Sequence, residues 1–165
     1  MNWRRISRRG TIAGLLGAVT VAAWFLLVDT ILLHPFFTPG ALGSALFLGA
    51  TDLGSVEVNL WTVGGYTVFH LLTFAVIGFA ASALIEKAEQ KPYVVLAGLL
   101  VGVVILAFFL GLLTILAEFL LGALTWWAIA VGSLLGALAM GLYLWERDPK
   151  LEEAVEKDPF RKRHT

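Results

Sequence analysis

Four titratable side chains lie within or beside long apolar runs of the sequence: Asp29, His34, His70 and Glu118. Asp29 stands in the stretch AWFLLVDTILLHPFFTPG, residues 23–40, with apolar residues on both sides of it. A charged side chain in the hydrocarbon of a membrane costs about 2.5 to 3.5 kcal/mol on insertion scales. We therefore expect this aspartate to be shielded from lipid, paired with another group, or used in chemistry.

Three interpretations of these four residues are compatible with the sequence. In the first they are structural: Asp29 is protonated or bonded to backbone groups of the following loop, and His70 donates a hydrogen bond to another helix. In the second the carboxylates and imidazoles bind a cation or relay protons, although no HxxxH or ExxH spacing places two ligands on one helix face. In the third His34 and His70 ligate a haem, which their different expected depths in the membrane disfavour. The sequence favours the structural interpretation and leaves any metal unassigned.

The sequence excludes several kinds of catalytic and cofactor chemistry. There is no cysteine, which removes disulfides, thiolate metal sites, iron–sulfur clusters and cysteine nucleophiles. We find no nucleophile–base motif, glycine-rich phosphate loop or nucleic-acid-binding signature. We therefore expect a protein that is not an enzyme, with no cofactor and no nucleic-acid partner.

The elements that position these residues are predicted by the distribution of apolar side chains. The 165 residues are 59% hydrophobic and only 15% charged, whereas soluble domains average about 25% charged residues. We predict an all-α fold, with a basic N-terminus over 1–10, a four-helix transmembrane bundle over 11–145 and a polar tail over 146–165. Four stretches reach the roughly 20 apolar residues that cross a bilayer: 11–33, 61–85, 93–117 and 125–145.

The long connection over 34–60 is predicted to contain a short helix in the outer leaflet or dipping back against the bundle. Thr38 and Pro39 are typical of an N-cap followed by proline at the first helical position, and the apolar run after them is too short to cross a membrane. Asp29 is expected to fasten this loop to the first span by accepting hydrogen bonds from Thr30, Thr38 or free N–H groups at the start of the short helix. We expect His34-Pro35 to end the first span.

The basic residues predict the orientation of the spans. Every lysine and arginine lies in one of three segments, 4–9, 87–91 and 147–163, and four spans bring these segments to one side. The positive-inside rule then places both termini in the cytoplasm. The motif SRRGTIAG looks like a twin-arginine export signal, but the apolar run after it is too long for a signal core and three more spans follow. We expect an anchoring first helix.

Glycine spacing predicts where helices approach closely. Gly98–Gly102 and Gly132–Gly136 are GxxxG pairs, which allow close packing of helices in lipid. We interpret them as a helix-packing interface within the chain, and we also consider the hypothesis that these faces contact a partner chain or a second copy. Residues 13–34 align without gaps on 97–118, with half the positions identical, which indicates a 2+2 parallel repeat.

Three segments resemble small four-span bacterial membrane proteins of unassigned function: RRGTIAGLLGA, WFLLVDTILLHPFFTPGALGSALF and FHLLTFAVIGFAAS. The resemblance covers most of residues 8–85 and implies no activity and no functional residue. We expect a protein of the bacterial inner membrane whose partners are membrane lipid and other membrane-protein subunits, or a second copy.

Two classes of function remain after these exclusions. The first is an accessory or structural subunit that packs against a larger membrane complex of respiratory or photosynthetic type. The second is a small transporter or channel for a cation, proton or small solute, working through the outer Asp/His/Glu site. The first is favoured because few polar residues lie deep in the inner half of the spans and because four spans are few for a monomeric carrier.

Overall fold

The computed structural model describes residues 3–88 and 125–147 of the chain, and within these ranges all regular structure is helical. Helix α1 is Trp3–Ile31, α2 is Phe37–Gly43, α3 is Leu60–Ala88 and α4 is Thr125–Glu146. Between α2 and α3 lie a π-helical turn, Ser44–Leu48, and a 3-10 turn, Leu53–Ser55.

Three of these helices, α1, α3 and α4, are long and apolar enough to cross a membrane. The 22 residues of α4 measure about 33 Å at 1.5 Å per residue, close to the thickness of the hydrocarbon core. The predicted spans 11–33, 61–85 and 125–145 fall on these helices. The predicted third span, 93–117, lies outside the described residues.

Helix α1 begins well before the predicted start of its span at residue 11. Ile6 is buried, and the ring of Trp3 stacks on Phe79 of α3 with centroids 6.2 Å apart. These contacts continue the packing of α1 beyond its apolar stretch, so the helix includes the arginines that the sequence placed in a separate N-terminal segment.

The contact between α1 and α3 is made by glycine backbones. A Cβ added to Gly14 would overlap the carbonyl of Phe74, and one added to Gly78 would overlap the carbonyl of Gly10. In lipid, where apolar side chains gain little by leaving the solvent, such close approach supplies much of the packing energy. The order of the contacts makes α3 antiparallel to α1.

Helix α4 packs on another side of α1 and also runs antiparallel to it. A Cβ on Gly136 would lie 2.7 Å from Cγ2 of Val21, and one on Gly132 would lie 2.8 Å from Cδ1 of Trp24. The Trp24 indole N–H donates to the carbonyl of Ala128 at 2.8 Å. Trp24 is thus a packing residue.

The hypothesis that Gly132 and Gly136 contact a partner chain is wrong, because α1 of the same chain covers both glycines. Their predicted role in helix packing is correct, and it operates inside the chain. Gly98 and Gly102, the other pair assigned to this role, lie outside the described residues.

Candidate functional site

Asp29 lies near the C-terminal end of α1, where its side chain is only 3% exposed. Its Oδ2 accepts a hydrogen bond from the backbone N–H of Thr38 at 2.7 Å, and its Oδ1 accepts one from the Thr38 hydroxyl at 2.6 Å. The predicted fastening of the loop by Asp29 is confirmed, with Thr38 as the partner. The hydroxyl of Thr30 donates instead to the carbonyl of Leu26 in its own helix.

The end of α1 brings Asp29 close to the following helix by a Schellman motif. The N–H of His34 donates to the carbonyl of Asp29 at 2.9 Å, and the N–H of Leu33 donates to that of Thr30 at 3.1 Å. Leu33 has a φ of 62°, the left-handed conformation that usually calls for glycine at this position. The helix therefore ends at Ile31, before His34-Pro35, and the prediction that this dipeptide ends the span is corrected.

Asp29 also completes the N-terminus of α2. The helix begins at Phe37 after Phe36, which has a φ of 65° and offers no side-chain cap. The N–H of Phe37 donates to the carbonyl of His34 and that of Gly40 to the carbonyl of Phe36. Pro39 has no N–H, so Thr38 has the remaining donor of the first turn, and Asp29 accepts it.

Thr38 therefore lies inside the first turn of α2, and the prediction that it is the N-cap is wrong. A carboxylate from the preceding helix performs the capping that a local side chain usually provides. The carboxyl group also lies at the positive end of the dipole of α2.

A second polar cluster holds α2 and the π-helical turn against α3. The hydroxyl of Ser44 donates to the carbonyl of Glu57 at 3.0 Å and accepts the Glu57 N–H at 2.9 Å. The hydroxyl of Thr62 donates to the same carbonyl at 2.6 Å. Ser44 and Thr62 are both fully buried, and a Cβ on Gly43 would overlap the backbone of Thr62.

Asn59 begins α3 within this cluster. Its Oδ1 accepts the N–H groups of Trp61 and Thr62 at 2.9 and 3.0 Å, and the Thr62 hydroxyl accepts the N–H of Asn59 at 3.2 Å. This is a capping box with threonine at the third helical position. The sequence analysis missed these residues, although an asparagine three positions before a threonine, ahead of an apolar run, is a recognisable capping signal.

His70 lies on α3, far from Asp29. Its Nε2–H donates to the carbonyl of Ala18 on α1 at 3.2 Å, and its ring lies 4.6 Å from that of Phe74. The predicted hydrogen bond from His70 to another helix is confirmed. Ala18 precedes Asp29 by eleven residues, about 16 Å along α1, so His70 and Asp29 do not share one site.

The other two candidate residues lie elsewhere. His34 is exposed in the turn between α1 and α2, with its ring 6.2 Å from that of Phe37. Glu118 lies outside the described residues. Within residues 3–88 and 125–147, no three side chains of histidine, aspartate or glutamate are grouped as a metal site would require.

The polar side chains of this region form hydrogen bonds that connect elements of the same chain. Both oxygens of Asp29 and one nitrogen of His70 are engaged within the chain. The bonds of Asp29 connect α1 to α2, those of Ser44 connect the π-helical turn to the segment before α3, and that of His70 connects α3 to α1. The side chains of Asp29 and Ser44 thus position the loop between the first two long helices, and that of His70 holds α3 against α1.

No family model, no curated protein and no solved structure matches the chain.

Proposed function

We propose that this chain is a non-enzymatic integral membrane protein, an accessory or structural subunit that packs against a larger membrane complex. The observation that supports this most is a side of α3 that the other described helices leave uncovered. Val68, Leu72 and Val76 follow one another at intervals of one turn, and their exposed fractions are 58%, 63% and 68%. Of an 18-residue apolar stretch in each long described helix, 11% is buried in α3, against 28% in α1 and in α4.

The polar groups support the same proposal. Ionisable residues inside a membrane are candidates for transport or catalysis, but the carboxylate of Asp29 and the imidazole of His70 form hydrogen bonds that connect helices of this chain. Asp29 and the carbonyl to which His70 donates are about 16 Å apart along α1. This distance fits two separate contacts between helices better than one binding site. These observations favour the subunit over a transporter for a cation, proton or small solute.

The proposal includes a fourth span and an orientation. Because α3 and α4 are both antiparallel to α1, residues 89–124 connect opposite ends of the bundle. This requirement supports the third span predicted over 93–117 and the parallel repeat, in which the second and fourth spans run in the same direction. The arginines at the start of α1 and Arg147 after α4 lie at the same end, which the positive-inside rule assigns to the cytoplasm.

In the proposed topology α2 belongs to the outer leaflet, and its composition supports this position. Its buried residues are Thr38, Gly40, Ala41 and Gly43, which are small and face the bundle. Phe36, Leu46, Phe47 and Leu48 around it are large, apolar and about half exposed. A short element with its large apolar side chains turned outward is suited to lipid and not to water.

Photo-crosslinking from the exposed side of α3 tests the subunit proposal. A photoreactive residue replaces Leu72 in cells, and the matched control replaces Leu142 of α4, whose exposed fraction is also 63%. We expect crosslinks from position 72 to another membrane protein and crosslinks from position 142 to lipid. Crosslinks from position 72 only to residues 93–117 of the same chain would contradict the proposal, because that face would then be covered internally.

A further inference from the structure

The first turns of α1 have cationic side chains that the described helices leave uncovered: Arg4, Arg5 and Arg8. We propose that this end of α1 binds the headgroup of an anionic phospholipid, with an acyl chain lying along the exposed side of the same helix. The inference rests on the proposed function insofar as it requires the chain to span a membrane.

The depth of these arginines matches the headgroup region. Arg8 precedes Ile31, the last residue of α1, by 23 residues, or about 35 Å of helix. The hydrocarbon core of a bilayer is about 30 Å thick. When the C-terminal end of α1 lies at one boundary of the core, Arg8 lies at the other, and Arg4 lies one turn farther out.

On the side of α1 that has these arginines, the helix continues toward the membrane core with exposed apolar residues, which suit an acyl chain. Arg4 and Arg8 share one side of the helix with Leu15 and Val19, because spacings of four and seven residues repeat the same direction. Both apolar residues are exposed. From Arg8 to Val19 this surface extends about 16 Å, half of the core thickness and therefore the depth of one leaflet.

At the same end of the bundle, on the side of α1 that faces α4, the end of α4 adds a further cationic and aromatic group. The Arg9 guanidinium donates to the backbone carbonyl of Arg147, which holds the two helix ends together. The Arg147 guanidinium lies over the ring of Tyr143, 5.8 Å from its centroid. Aromatic rings next to basic groups are typical of the lipid headgroup region.

Charge decides which lipid this surface prefers. In the described ranges the acidic residues at this end are Glu86 on α3 and Glu146 on α4, whereas α1 has none before Asp29. Guanidinium groups pair with phosphate through two parallel hydrogen bonds. A phosphatidylglycerol headgroup offers that phosphate and has no ammonium group. Phosphatidylcholine has one, and its positive charge is repelled by the arginines.

The experiment measures lipid binding to the purified full chain in detergent. Phosphatidylglycerol and phosphatidylcholine with identical acyl chains are titrated, and bound lipid is counted by native mass spectrometry. Each arginine near a membrane surface contributes roughly a fivefold gain in affinity for anionic lipid. We expect the double variant Arg4→Gln/Arg8→Gln to bind phosphatidylglycerol roughly 25-fold more weakly.

Two control variants distinguish lipid binding at this site from a general effect of the positive charge of the chain. Arg4→Lys/Arg8→Lys keeps the charge and should keep a preference for the anionic lipid. Arg161→Gln/Arg163→Gln removes the same charge from the C-terminal tail and should leave binding unchanged. Loss of binding in the tail variant alone, or equal affinity of the unaltered chain for both lipids, would overturn the inference.

Two further outcomes have separate meanings. Displacement of the lipid by glycerol phosphate at equal concentration would assign the site to a free phosphate ester and overturn the lipid assignment. Release of the chain from membranes by alkaline carbonate would overturn the proposed function, whereas stable insertion without a lipid preference would overturn this inference alone.

Discussion

At Asp29 a carboxylate inside an apolar helix is satisfied by the two donors of one threonine. Removal of a buried hydrogen-bond partner costs about 1 to 3 kcal/mol for each group left unpaired. Replacement by leucine would leave both the N–H and the hydroxyl of Thr38 without an acceptor. An asparagine of the same shape still offers an amide oxygen to the N–H.

We predict that Asp29→Leu lowers the free energy of unfolding by about 2 to 4 kcal/mol, and that Asp29→Asn lowers it by about 1 kcal/mol or less. Titration with a denaturing detergent measures both values. Thr38→Val is the matched control, since it removes the hydroxyl and keeps the backbone donor, and it should fall between them. Equal losses for the asparagine and leucine variants would contradict this prediction, because the amide oxygen would then not replace the carboxyl oxygen as an acceptor for the Thr38 N–H.

At the scale of the helices, glycine determines how closely α1 and α3 approach. A Cβ on Gly14 meets backbone atoms of Phe74 and Ala75 that cannot rotate away, whereas one on Gly141 of α4 meets nothing within 4 Å. Both glycines lie inside helices, where alanine is intrinsically better by about 1 kcal/mol.

We therefore predict that replacement of glycine by alanine changes the stability of the chain in opposite directions at these two positions. Gly14→Ala should destabilise the chain by about 1 to 3 kcal/mol through overpacking, and Gly141→Ala should be neutral or stabilising by up to about 1 kcal/mol. Thermal unfolding in detergent compares them directly. A stabilising Gly14→Ala would mean that α1 and α3 are not in backbone contact in the protein.

Much of this organisation could be predicted from the sequence, because long apolar runs and GxxxG spacings follow directly from the demands of a bilayer. The tie from Asp29 to the following loop was also predictable, since a carboxylate in an apolar run must find donors nearby. The ends of the helices were not. Leu33 and Phe36 adopt left-handed conformations that local propensity disfavours, so the residue types at these positions do not predict them.

The candidate site was predictable only residue by residue. His70 was expected to bond another helix and does so, but the sequence does not indicate which residue of which helix accepts the bond. Ser44 and Thr62 do not stand out in the sequence, because single hydroxyl residues are common in apolar helices. Their burial depends on the close packing of Gly43 against α3. Such long-range contacts do not appear in hydrophobic periodicity.

At the scale of the whole molecule, the absence of cysteine from the sequence allows the orientation to be measured without background. We predict that cysteine at Ser55 reacts with an impermeant thiol reagent in intact cells, because the proposed topology puts residues 34–60 outside. Cysteine at Lys87 should react only after the cells are opened, because the positive-inside rule assigns the arginine-rich end to the cytoplasm. Reaction at position 87 and not at 55 in intact cells would invert the topology.

The most direct test of the central claim is the mass and composition of the protein purified from its native membrane. A tagged chain is solubilised in a mild detergent, and the variant Leu72→Ser/Val76→Ser is prepared beside Leu138→Ser/Leu142→Ser as a matched control on α4. We predict a complex well above 17.9 kDa that contains other membrane proteins in a fixed ratio, is lost in the α3 variant and persists in the control. A chain that elutes alone or only with copies of itself, and is unaffected by either variant, would contradict it.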